Sequence, residues 1–195
     1  MRKLITRAAV ALMATPAWAG VTTLDFESVT GFASIGDTYA AAGVNFGPDA
    51  QGLVNDAAGP YFSNAPSPLG VMFVSGIGVP DAAITVAAGF NALSFYYSSA
   101  DAVTDAVQVW TGANGTGTRL ASYNLAANAT GGCTSTAYCR WDQLGGKLAA
   151  TAQSISFAAG TQLAAFDNIS VVPEPASVWL VGLAMSGLVL SRRRS

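Results

Sequence analysis

Ala106-Val-Gln-Val-Trp110, Thr111-Gly-Ala-Asn-Gly-Thr-Gly117 and Arg119-Leu-Ala-Ser-Tyr-Asn-Leu125 form the stretch that decides the fold of this 195-residue chain. Val107 and Val109 alternate with Gln108 and Trp110, so one side of the first segment is apolar and the other is not. That period of two marks a half-buried strand. The middle segment supplies three glycines and an asparagine, the residues that take left-handed backbone in a tight connection. Strand, turn and strand in this order predict a hairpin.

The same pattern extends outward on both sides. Toward the N-terminus, strands are predicted at 21–27, 43–46, 71–74, 83–86 and 91–97. In the first of these, Leu24 and Phe26 lie opposite Asp25 and Glu27. Toward the C-terminus they are predicted at 141–148, 154–157 and 165–172. No stretch between them keeps a helical period. Short strands with Gly and Asn turns predict an all-β domain, a jelly-roll-like two-sheet β-sandwich. Residues 47–69, rich in Gly, Pro, Asn and Ser, are predicted as a long loop. With no repeat or linker to divide it, one domain is expected over 20–171.

The two ends read differently. Met1-Arg-Lys gives a basic start, residues 8–14 an apolar run, and Ala17-Trp-Ala19 a small-x-small site, so residues 1–19 are read as a signal peptide cut after Ala19. That reading implies the Sec export machinery and a signal peptidase. At the other end, residues 176–190 carry no charge and are followed by Arg192, Arg193 and Arg194. Such a segment spans roughly 22 Å as a helix, somewhat less than a bilayer core. Arginine snorkelling and local thinning shorten the gap. A transmembrane helix over 176–190 with its arginines cytoplasmic is expected.

Pro173-Glu-Pro175, the short apolar helix and the terminal arginine cluster resemble, in that order, the PEP-CTERM family of sorting signals over 172–195. The resemblance implies an exosortase as processing partner, with Pro173, Glu174 and Pro175 as recognition motif and Arg192, Arg193 and Arg194 as cytoplasmic stop. It further implies transient anchoring in the inner membrane, then delivery to the surface or extracellular matrix of a Gram-negative bacterium. Two prolines also deny this segment a place in a strand or helix, which keeps it open to a protease.

Charge narrows the partners. Between the two signals stand three basic residues, Arg119, Arg140 and Lys147, against ten acidic ones, a balance of −7. A surface of that sign repels phosphate backbones, so nucleic acid is excluded, whereas divalent cations and neutral glycans are compatible. Export puts Cys133 and Cys139 in an oxidising compartment, where two cysteines this close are expected to form a local disulfide.

Histidine is absent, which removes Ser-His-Asp and Cys-His catalysis and His-containing metal sites. No phosphate-cradling loop or dinucleotide fingerprint is present. Carboxylate pairs remain, Asp25 with Glu27 and Asp101 with Asp105, and keep a glycan hydrolase as the alternative reading. The expectation is nevertheless a non-enzyme. Trp110 and Gln108 on one strand face, Tyr96 and Trp141 are the glycan-contact candidates, by ring stacking and amide hydrogen bonding. The same rings also suit core or cross-strand packing. Finally, Leu-Asp-Phe-Glu27 and Phe166-Asp-Asn-Ile-Ser-Val171 resemble the first and last strands of carbohydrate-binding-module-like jelly rolls. That resemblance implies a structural Ca²⁺ held by Asp25, Glu27 and Asp167; Asp167 and Asn168 equally serve to turn the chain. The reading reached is an exported surface or matrix protein associated with exopolysaccharide or glycans, with a purely structural surface protein as a further alternative.

Overall fold

Residues 20–76, 81–133 and 135–173 are described by the computed structural model. They form nine strands: β1 Thr22–Leu24, β2 Val44–Phe46, β3 Ala50–Leu53, β4 Val71–Val74, β5 Ala83–Ser99, β6 Val103–Trp110, β7 Arg119–Leu125, β8 Asp142–Ser156 and β9 Ala164–Val172. Hydrogen bonding runs β3-β4-β9-β5-β8-β6-β7, with β1 added to β9 and β2 to β5, each pair antiparallel.

The continuous sheet folds over on itself. Strand β7 lies three places from β5 along the ladder, roughly 14 Å at the usual strand spacing. Yet the rings of Phe95 on β5 and Tyr123 on β7 meet at 5.5 Å. They therefore face each other across a core, and the protein is an all-β sandwich. The two long strands serve both layers. Ala83 to Thr85 of β5 pair with Ser154 to Ser156 of β8 in one layer, beside β2, β6 and β7. Further along, β5 pairs with β9 and with the first half of β8, in the layer that holds β1, β3 and β4. Between these parts β5 carries register shifts at Thr85/Phe90 and Phe90/Ala92, around Gly89 at φ +70°. A left-handed glycine with bulges bends a strand without ending it.

Between the layers sit Phe95, Phe157 and Phe166, with Phe157 and Phe166 4.7 Å apart, among fully buried Leu24, Ile84, Val109 and Ile169. A second, smaller core covers the outer face of the β4–β9–β5 layer. Strand β4 shows how: Met72 and Val74 enter the main core, whereas Val71 enters the second with Leu53, Phe62, Ala129, Tyr138 and Ala165. The covering chain is stitched by Ser63 N–H to Tyr138 O at 2.9 Å and Tyr138 N–H to Tyr61 O at 3.2 Å. The Cys133–Cys139 disulfide, with Cα atoms 6.0 Å apart, closes the neighbouring turn.

Three sequence expectations change here. The strands predicted at 83–86 and 91–97 are one strand, and so are those at 141–148 and 154–157. The region 47–69 contains a strand, β3. Glycine and alanine in these places bend or thin a strand where the sequence pattern reads a stop. The expected signal peptide, with Ala17 and Ala19, and the expected helix at 176–190 lie outside the described residues. Among the described residues, no helix is long and apolar enough to cross a membrane.

Candidate functional site

Pairing of β1 with β9, Thr22 opposite Val171 and Leu24 opposite Ile169, brings the opening and closing strands side by side. The carboxylates at this junction follow from that register. Phe26 adopts φ 57° and buries its ring completely, which sets Asp25 and Glu27 on either side of it. Tyr39 donates its hydroxyl proton to Asp25 Oδ1 at 3.2 Å and accepts from the Phe26 N–H at 2.7 Å. Burial first, and the Asp25 charge with it, raises the Tyr39 phenol well above its ordinary pKa.

Glu27 Oε1 accepts from Leu69 N–H at 2.8 Å. Asp167 is wholly buried; its Oδ2 accepts from Ser67 N–H at 2.6 Å and its Oδ1 from Asn168 N–H at 2.7 Å. Burial pushes the Asp167 carboxyl up to about 7, the Glu27 charge adds to this, and the two amide bonds pull the other way. Glu27 and Asp167 thus pin residues 67–69 to the sheet. At Gly70 the chain passes so close that a Cβ would collide with Phe26 O. Among the described residues, no three acidic or cysteine side chains stand close enough together to hold a metal ion. As placed, these carboxylates accept from amides and a phenol.

The aromatic candidates are dispersed. Trp110 pairs with Ser154 at the end of β8, whereas Tyr96 pairs with Gln143 at its start. The β6–β7 turn folds back over Trp110's layer: Gly115 N–H donates to Ser154 Oγ at 2.9 Å, and Asn114 exchanges hydrogen bonds of 2.9 and 3.1 Å with Thr85. Trp110 is half-buried and its Nε1 is buried without a hydrogen-bond partner. Gln108 Nε2 donates to Asp105 O at 3.2 Å. Trp141 packs against the second core and donates from Nε1 to Ser63 O at 2.9 Å. Tyr96 is half-buried on β5, where its neighbour Ser94 lines a cavity of 340 Å³ together with Gln143, Leu144 and Gly145.

Asp105 sits at φ 52° and accepts from Ser122 Oγ, with the Arg119 guanidinium 3.5 Å away. That carboxylate is occupied by its own hairpin, and Asp101 is exposed beside the Ser99 hydroxyl, which donates to the Asp101 carbonyl at 2.8 Å.

One aromatic pair lies in segments whose sequence shows no period. Phe32, 52% exposed and at φ 57°, meets Tyr61 edge-to-face at 5.2 Å and 86°. Its signal is invisible in the alternation because both rings sit on connections.

Residues 171–194 match the PEP-CTERM protein-sorting motif. No curated protein matches the chain. A solved structure to which the chain is similar is the catalytic unit of thermostable GH87 alpha-1,3-glucanase from Streptomyces thermodiastaticus strain HF3-3, at 14% identity and a TM-score of 0.42. The likeness covers 83% of this chain and 27% of that one, so the chain spans about a quarter of that relative's length.

Proposed function

We propose that this PEP-CTERM protein is exported, processed by an exosortase, and acts at the cell surface or in the matrix as a non-enzymatic β-sandwich associated with exopolysaccharide. The observation that carries the reading is the sorting motif at 171–194, which begins where the domain ends. Strand β9 runs to Val172 and stops at Pro173, which has no N–H to donate to a ladder. Recognition residues and fold therefore meet without overlap. The roles follow from chemistry: the prolines hold an extended, accessible segment, the apolar stretch after them anchors it, and the terminal arginines stay on the cytoplasmic side.

A non-catalytic role is supported by the absence of histidine and by the engagement of Asp105, Glu27 and Asp167 in local hydrogen bonds. The acidic balance of the domain favours neutral polymers over anionic ones.

Replacing Pro173, Glu174 and Pro175 together by alanine tests the sorting half. Fractionation and immunoblotting should then show an unprocessed form retained in the membrane. Release indistinguishable from wild type would sink the reading.

A further inference from the structure

Phe32 combines two unfavourable features at one position. A bulky residue at positive φ is an outlier, and φ here is 57°. The ring so placed is 52% exposed, where most large apolar side chains of the domain are buried. Strain of this kind persists where the surroundings enforce it, and it is a pointer to function. The enforcement is visible. Phe32 N–H donates to Gly52 O on β3 at 2.8 Å, and Gly52 is itself pressed against Thr30 O, where a Cβ would come within 2.6 Å.

Tyr61 is held just as firmly. Asn55 Oδ1 accepts from the N–H groups of Tyr61 and Phe62 at 2.8 and 3.1 Å, while Tyr61 O accepts from Tyr138 N–H at 3.2 Å. The Asp56 carboxylate completes the group. It is exposed, adjoins Asn55 in the chain, and its Oδ1 accepts from Ala58 N–H at 2.8 Å. A rigid aromatic corner with a carboxylate acceptor at its rim is the chemistry that recognises a sugar: a C–H face stacks on a ring, and hydroxyls find acceptors.

We propose that Phe32, Tyr61 and Asp56 form the sugar-contact site of the domain, taking a neutral hexose residue of a polysaccharide. The hexose stacks on the open part of Phe32 and donates a hydroxyl to Asp56. Neutrality follows from the −7 balance of the domain and from Asp56 itself, which repel sulfated or carboxylated chains. The site rests on the reading that the exported domain meets polysaccharide, and it names the ligand class and the contact residues.

The test is affinity electrophoresis of protein purified from producing cells, in gels containing hydroxyethylcellulose, laminarin, galactomannan or dextran sulfate. At least one neutral polymer should retard the wild type, and dextran sulfate should not. Phe32→Asn removes the ring but keeps a residue that tolerates positive φ, so its melting temperature should hold or rise while retardation falls about fivefold or more. Asp56→Asn should weaken retardation as well. The site is overturned by a wild type that no neutral polymer retards, by retardation in dextran sulfate alone, or by a Phe32→Asn variant retarded like wild type. Release of each variant is followed in parallel, so a defect in sorting is told apart from a defect in the site.

Discussion

Asparagine in place of Asp167 removes the most heavily perturbed carboxylate of the domain while keeping its shape. In the folded protein this group, wholly buried, holds its proton up to about pH 7; its ordinary value is 3.8. Between those limits the native state binds more protons than the unfolded chain. Stability contributed here is therefore full below about pH 4, declines as pH rises, and levels off above about 7. At 1.36 kcal/mol for each tenfold change, the decline amounts to about 4 kcal/mol. Urea denaturation of the disulfide-intact protein in EDTA, from pH 4.5 to 8.5, reads it directly. Asp167→Asn should remove this component, so the difference in unfolding free energy between wild type and variant should change across the window by an amount of that order. The change must fall between pH 4 and 7 and have the stated sign. Parallel curves, within about 1 kcal/mol throughout, would refute the account of Asp167 as a carboxylate whose charge burial disfavours.

Two further measurements address neighbouring features. If Asp25, Glu27 and Asp167 take a calcium ion, as the jelly-roll resemblance implies, EDTA lowers the melting temperature and added calcium restores it; a melting temperature indifferent to both leaves them as hydrogen-bond acceptors alone. Replacing Cys133 and Cys139 by serine should cost about 2 kcal/mol, the loop-closure value for so short a ring, and a loss below about 0.5 kcal/mol would mean that the second core holds this turn unaided.

Much of the fold was legible because alternation survives where one strand face is buried and the other is not. Strand β7 occupies 119–125 as its pattern predicts, and the glycine-rich turn before it closes the expected hairpin. The long strands were harder to read. Ala87, Ala88 and Gly89 look like an ending, yet the ladder resumes at Phe90, because bulges and one left-handed glycine let a strand change layers. Strand β3 was hidden for a related reason: Ala50-Gln-Gly-Leu53 is short and weakly apolar, and it pairs because β4 offers a complete partner. The jelly-roll resemblance groups the terminal carboxylates by type alone, whereas the amides at 67–69 that Glu27 and Asp167 accept from come from a segment without periodicity. Phe32 carries no sequence signal because its meaning lies in backbone angle and exposure, which composition does not record.

The place of β9 has a consequence for timing during secretion. It lies between β5 on one side and β1 and β4 on the other, and it is the last strand of the domain. A polypeptide threaded outward from its N-terminus can form the hairpin early, but it cannot close this layer until residues 164–172 have crossed. Pro173 is the very next residue. Completion of the domain and arrival of the sorting motif are thus one event along the chain, so a truncated or stalled product lacks both its central strand and its address.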